Sequence, residues 1–167
     1  IMDSLLNKIS QYNIFNYLFP GIIYSLVIKN IGSFNLLPEN QILSFFLFYF
    51  IGLVVSRIGS LLLEPLLLKI HFIKYQTYDK YIGAEKNDGK IDILLEVNNM
   101  YRTLISLIVL ISITWFLKYC CKKNGIDSLY IEIGIFILLA LLFLFSYKKQ
   151  TSYIYKRIDC ITKQEEK

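Results

Sequence analysis

The sequence has few of the residues from which enzymes build active sites. It contains one histidine and three cysteines in 167 residues. Cys120 and Cys121 are adjacent and Cys160 is distant, so they form neither a disulfide framework nor the CxxC spacing of a metal site. A glycine-rich phosphate loop, an HExxH zinc motif and a nucleophile elbow are also missing. We therefore expect no catalytic residue, no metal and no cofactor, and we do not expect an enzyme.

Apolar side chains are what the sequence has in abundance. Hydrophobic residues make up 55% of the chain and charged residues 19%, and the mean hydropathy is +0.49. A soluble domain of this length needs far fewer apolar residues to fill its core. Because the charges are gathered between apolar blocks, the pattern predicts an all-α polytopic membrane protein, a bundle of four transmembrane helices with a helical cytoplasmic insert.

Four apolar blocks are candidates for membrane spans, since a span needs roughly 20 residues. They divide the chain into an amphipathic N-terminal segment with the first two spans, a cytoplasmic helical insert, the last two spans and a cytoplasmic tail, over residues 1–63, 64–102, 103–147 and 148–167. The first block is short, and Pro20 and Gly21 predict a kink in it. No breaker precedes the third block, so we predict one long helix over residues 90–121, with Asp88 as its N-cap.

The distribution of basic residues predicts the orientation of the spans. The N-terminal segment, residues 57–102 and the tail hold fourteen of the eighteen lysines and arginines. Loops rich in these residues stay in the cytoplasm. We expect a multi-pass protein of the bacterial inner membrane with both termini cytoplasmic.

Three charged residues fall within or at the edge of the apolar blocks, namely Arg57, Glu64 and Glu132. A charge inside a membrane is costly unless it is paired. If the membrane ends near Arg57, this side chain can reach the lipid headgroups. If the boundary lies near Lys69 instead, Arg57 and Glu64 are both inside and two helical turns apart, so each needs a partner on another helix. Glu132 has two interpretations, an interfacial residue at a helix start and a pore, proton or partner site. His71 is interpreted as an interfacial residue on an amphipathic surface helix.

Small residues form one face of the second span. They are Gly52, Ser56, Gly59 and Ser60. Such a face lets membrane helices approach closely, so we predict that it packs against a neighbouring helix.

Two polar patterns in the insert and the tail are candidate binding surfaces. The stripe Asp92, Glu96, Asn99 and Arg102 recurs at helical spacing and is either a solvated face or a binding site. Aromatic and basic residues interleave at Lys74, Tyr75, Tyr78, Lys80 and Tyr81, and again at residues 153–157. They could contact nucleic acid or anionic lipid. Beside a membrane we favour lipid, and no direct nucleic-acid binding.

Residues 12–21 form a short apolar and aromatic motif that reads YNIFNYLFPG. With the four-span layout and the basic insert, they resemble small four-helix membrane proteins of bacterial anti-phage operons, nearest the membrane component of the Kiwa system. The resemblance implies a homo-oligomer, such as a tetramer, that senses or disturbs the inner membrane and recruits a cytoplasmic DNA-binding partner.

Two functions follow as hypotheses. The first is a membrane-embedded oligomeric sensor or scaffold in antiviral defence that docks a cytoplasmic partner protein from the same operon. The alternative is a pore-forming or membrane-depolarising effector whose path is lined by Glu132, Arg57 or Glu64.

Overall fold

The computed structural model describes residues 11–31, 38–124 and 128–165, with the side chains of residues 11–30, 38–120, 133–160 and 162. In these ranges all regular elements are helices, as the sequence predicts. Most of the predicted amphipathic lead-in lies outside the described residues, and so does the side chain of Glu132.

Five helices make up the described chain. Helix α1 comprises Gln11–Asn13, a π-helical turn Ile14–Leu18 and Phe19–Ile31, and α2 comprises Gln41–Ile58, a second π-helical turn Gly59–Leu63 and Glu64–Lys69. Helices α3, α4 and α5 cover Tyr78–Asn87, Lys90–Asn124 and Ser128–Glu165. The 35 residues of α4 confirm the prediction of one long helix, and they extend about 52 Å at 1.5 Å per residue.

Side-chain caps mark where two of these helices begin. The side-chain oxygen of Asn40 accepts from the backbone N–H groups of Ile42 and Leu43 at 2.9 and 3.2 Å. Asp88 Oδ1 accepts from the N–H of Lys90 at 3.0 Å, in the capping role that the sequence predicts.

Each π-helical turn ends two residues before a proline, Pro20 in α1 and Pro65 in α2. Proline has no N–H, and its ring clashes with the carbonyl four residues earlier in an α-helix. In the wider turns Phe19 N–H bonds to Ile14 O and Glu64 N–H bonds to Gly59 O, five residues back. The helices accommodate both prolines by this local widening and continue beyond them.

The order of the helix contacts fixes the topology. Asn16 of α1 contacts Ser56 of α2, and Gly21, one turn later, lies against Phe48, so the two helices are antiparallel. The contacts of α2 with α4 likewise run in opposite order. Consequently the described start of α1, the end of α2, the start of α4 and the end of α5 lie at one end of the bundle.

Within the described residues, three helical segments are long and apolar enough to cross a membrane, namely Gln41–Lys69, Lys90–Cys120 and Ile133–Cys160. They indicate a multi-pass membrane protein. The most apolar part of the α5 segment has no buried residue, and its aromatic contact with α2 is the stacking of Phe143 on Phe50 at 5.9 Å.

The tail is helical, which is one of the two forms that the sequence allows. Helix α5 runs through residue 148 to Glu165, because neither glycine nor proline follows Gly134 to end it. One detail differs from the prediction. His71 does not lie on a surface helix. It has a φ of 59° and follows the end of α2, where Phe72 N–H bonds to Leu67 O and His71 N–H to Leu68 O. This pair of bonds is a Schellman helix end.

Candidate functional site

Three small polar side chains from three helices meet inside the bundle. Thr103 Oγ1 of α4 donates to Asn16 Oδ1 of α1 at 2.7 Å. Ser56 Oγ of α2 lies 3.2 Å from Thr103 Oγ1 and 3.4 Å from Asn16 Nδ2. Asn16 and Thr103 are fully buried and Ser56 nearly so. We call these three residues the neutral cluster; its groups satisfy one another, as buried polar groups must.

Close helix approach brings the neutral cluster together. A Cβ added at Gly52 would lie 1.6 Å from the carbonyl oxygen of Tyr17, and one at Gly21 would lie 1.8 Å from that of Phe48. No side chain fits at either position, so glycine is what lets the backbones of α1 and α2 touch. Gly21, from the sequence predicted as part of a kink, is therefore a contact position.

A second cluster, which is charged, lies about two helical turns further along α2. It is nearer the end of the bundle that holds the described start of α1 and the end of α5. Glu64 bonds through one carboxylate oxygen to Arg102 Nη1 of α4, and its other oxygen is 3.3 Å from Lys149 Nζ of α5. The Glu64 side chain is 9% exposed, against 18% for Arg102 and 24% for Lys149. Glu64 thus has its partners on other helices, as the cost of a lone buried charge predicts. These three residues are the charged cluster.

Lys149 is held by the backbone as well as by Glu64. Its Nζ donates to the carbonyl oxygen of Ser60 at 2.6 Å and lies 2.9 Å from Ser60 Oγ. In the π-helical turn Glu64 N–H bonds to Gly59 O, and Pro65 has no N–H to offer. The Ser60 carbonyl is therefore left for a donor outside the helix, and the lysine supplies one.

Beyond the charged cluster, α3, the first turns of α4 and the last turns of α5 form a polar lobe. Arg157 Nη1 donates to Glu85 Oε2 at 2.9 Å, and Cys160 Sγ is 2.8 Å from Asp79 Oδ1. The hydrogen bond from Arg157 lowers the pKa of Glu85. We call this part, residues 73–101 and 150–165, the lobe. The end of α5 belongs to it as much as the predicted insert does.

A cavity of about 810 Å³ lies between the lobe and the charged cluster. Its lining residues include five basic side chains and a single carboxylate, that of Glu64. Four tyrosines also line it. These basic and tyrosine residues are Lys80, Arg102, Lys149, Lys156 and Arg157, with Tyr75, Tyr78, Tyr81 and Tyr153.

The cavity unites the two aromatic and basic patterns of the sequence, which are about 70 residues apart. Tyr78 stacks on Tyr153 with ring centroids 6.3 Å apart, and this contact joins the insert to α5. Lys149 Nζ lies 5.7 Å from the ring centroid of Tyr153. Of the predicted binding residues, Lys74 is exposed and is not in the lining.

The predicted polar stripe on α4 is divided by the fold. Asn99 and Arg102 line the cavity, whereas Glu96 is exposed and Asp92, also exposed, lies 3.4 Å from the hydroxyl of Tyr81. The first half of the stripe is thus solvated, whereas its second half borders the cavity. On the opposite face of α4, four apolar side chains are exposed as well, namely Ile93, Leu94, Val97 and Tyr101.

The small-residue face of α2 lies at helix contacts. Ser56 belongs to the neutral cluster and Ser60 binds Lys149, while a Cβ at Gly59 would lie 2.4 Å from Ser106 Oγ of α4. Arg57, on the same helix, is partly exposed.

Asn16 and Thr103 carry the most buried polar contacts, and the sequence interpretation assigned them no role. The sequence feature that could have indicated this role is Asn16 itself, because it interrupts an apolar block where a polar side chain needs a partner.

Among the described side chains no group of three or more histidines, cysteines or acids could hold a metal ion. Comparison with protein-family models, curated proteins and solved structures finds no match.

Proposed function

We propose that this chain is a membrane-embedded oligomeric sensor or scaffold of bacterial antiviral defence, which binds a cytoplasmic partner protein through the lobe. The observation that carries the proposal is the exposed apolar stripe of α4. Ile93, Leu94 and Tyr101 are 61%, 67% and 64% exposed on the part of the helix that precedes the apolar span. An apolar stripe at helical spacing outside the membrane is suited to binding another protein.

In this proposal α1 is a fourth membrane span. Its 21 residues, from Gln11 to Ile31, extend about 31 Å, which matches the hydrocarbon thickness. Contacts with α2 and α4 continue along it, from Asn16 to the hydrogen bond of Tyr24 with Thr114 at 3.0 Å. Because the basic residues are concentrated at the lobe end, both termini lie in the cytoplasm of the bacterial inner membrane.

Self-association is part of the same proposal. The apolar part of α5 has few contacts with the rest of the chain, and large side chains on one of its faces, such as Ile137 and Leu144, are exposed. A second copy packed against this face would give α5 the neighbours that the other spans have. The resemblance to small membrane proteins of anti-phage operons supports both the oligomer and the partner.

The contacts of Glu64 favour the scaffold over the pore-forming effector. Both carboxylate oxygens of Glu64 bond to cations of the same chain. A residue engaged in this way does not present a free charge to a conduction path. We therefore do not propose a channel as a second function.

The test is recovery of the partner with the full-length protein expressed beside its neighbouring genes. We expect the double variant Leu94→Glu with Val97→Glu to reduce recovery of the partner and phage resistance at least about tenfold, since a central apolar contact contributes about 2 kcal/mol. Glu96→Ala, on the flank of the same helix, is the matched control and leaves both unchanged. Undiminished recovery with the double variant, at normal expression, contradicts the proposal.

A further inference from the structure

The charged cluster lies where the apolar part of three helices stops. Arg102 is the last charged residue before the apolar run of α4, and Lys149 follows that of α5 by two residues. Glu64 lies about one turn before the apolar run of α2 ends at Leu68. The floor of the cavity is therefore at the level where hydrocarbon meets the lipid headgroups.

The cavity has more positive charge than its own residues neutralise. Glu64 shares one negative charge between Arg102 and Lys149. Arg157 is paired with Glu85, but the ammonium groups of Lys80 and Lys156 add two further charges to the lining. A surplus of cations around a partly enclosed volume attracts an anion.

The lining groups match the chemistry of a phosphate diester. Lysine and arginine donate several hydrogen bonds to phosphate oxygens, and tyrosine hydroxyls donate one each. Tyrosine rings also suit the interface, where one end of a ligand is polar and the other is apolar. A volume of about 810 Å³ accommodates a glycerophosphate headgroup with the first carbons of its acyl chains.

We propose that this cavity binds the headgroup of an anionic phospholipid, with its phosphate between the charged cluster and Lys80 and Lys156. The proposal rests on the cavity and does not depend on the antiviral role. Basic pockets between membrane helices bind acidic lipids by the same chemistry. A soluble phosphate ester shares that chemistry, and the experiment separates the two ligands.

The test is calorimetric titration of the full-length, delipidated protein in detergent with short-chain phosphatidylglycerol. We expect saturable binding, and markedly weaker binding of phosphatidylcholine with the same chains. The variant Lys80→Gln with Lys156→Gln should weaken phosphatidylglycerol binding about 30-fold, which corresponds to about 1 kcal/mol for each lysine. Lys74→Gln with Lys148→Gln removes the same charge from exposed residues outside the lining and should change the affinity less than about threefold.

Several results would overturn the proposal. Equal weakening by the two double variants would mean that overall charge, rather than the cavity, attracts the lipid. Equal affinities for phosphatidylglycerol and phosphatidylcholine would remove the role of the anion. Binding of glycerol 3-phosphate or inorganic phosphate as tight as that of the lipid would assign the cavity to a soluble phosphate compound instead.

Discussion

The neutral and charged clusters are adjacent on α4 and about two turns apart on α2, yet they differ in how far they are buried and in how well their charges are balanced. Asn16 and Thr103 of the neutral cluster are fully buried, and their polar groups bond to each other and to Ser56. The charged cluster is partly exposed, and its one carboxylate faces two cations. A closed and satisfied cluster holds helices together, whereas an open cluster with surplus charge is able to bind a ligand.

The largest effect is expected where the helices come closest. Gly52→Ala should lower the free energy of unfolding by more than about 3 kcal/mol, because its Cβ would meet a backbone carbonyl that cannot move alone. Gly134→Ala is the control, since a Cβ there meets nothing within 4 Å and should stabilise α5 by up to about 1 kcal/mol. Unfolding by titration with sodium dodecyl sulfate measures both. Equal stabilities would contradict the close approach that forms the neutral cluster.

The next effect tests whether the charged cluster is also needed for the fold. Glu64→Gln should cost about 3 kcal/mol or more, because Arg102 and Lys149 would be left partly buried without a counter-ion. The same change at the exposed Glu96 should have little effect in the unfolding titration. A Glu64→Gln protein as stable as the Glu96→Gln protein would mean that solvent already screens this cluster.

The third-largest effect on stability is expected from the loss of a hydrogen bond in the neutral cluster. Thr103→Val keeps the volume and loses the hydroxyl, and we expect a loss of about 1–2 kcal/mol in the free energy of unfolding. Ser112→Ala serves as the control, since this exposed serine bonds to a carbonyl of its own helix. If the two substitutions cost the same, the cluster contributes no more than a local helix contact.

The smallest effect concerns pH and the lobe. The hydrogen bond from Arg157 lowers the pKa of Glu85 in the folded state. The stabilisation that this hydrogen bond contributes is therefore complete above about 4.3, the pKa of glutamate in the unfolded chain. It is lost as the pH falls through the pKa that Glu85 has in the folded state. Glu85→Gln should lower the melting temperature slightly at pH 7, and the difference should disappear only as the pH falls through the lowered folded pKa of Glu85. A difference that persists in acid would contradict the ion pair.

Much of the helical architecture could be predicted, because it depends on local pattern. The lack of breakers before the third apolar block predicts the long α4, and the cost of a lone charge predicts that Glu64 pairs across helices. The identity of its partners, Arg102 and Lys149, depends on how three helices are aligned, and periodicity within one helix does not contain that information.

The sequence left the role of the polar stripe on α4 open for a related reason. The spacing of Asn99 and Arg102 correctly groups them on a helix face, but spacing does not say which face points inward. The inward direction follows from α5, whose continuation past Lys149 places basic and tyrosine side chains beside α4. Apolar periodicity does not predict the π-helical turns. The sequence feature that accompanies each of them is a proline, Pro20 in α1 and Pro65 in α2.

Thiol accessibility at two positions of α4, five residues apart, tests the comparison most directly. In a background with Cys120 and Cys121 replaced by alanine and Cys160 by serine, Asn98→Cys lines the cavity and Thr103→Cys lies in the neutral cluster. With a membrane-impermeant maleimide applied from the lobe side, we expect rapid labelling of Asn98→Cys and almost none of Thr103→Cys. Labelling of both at similar rates, or of neither, would contradict an open charged site beside a closed neutral one.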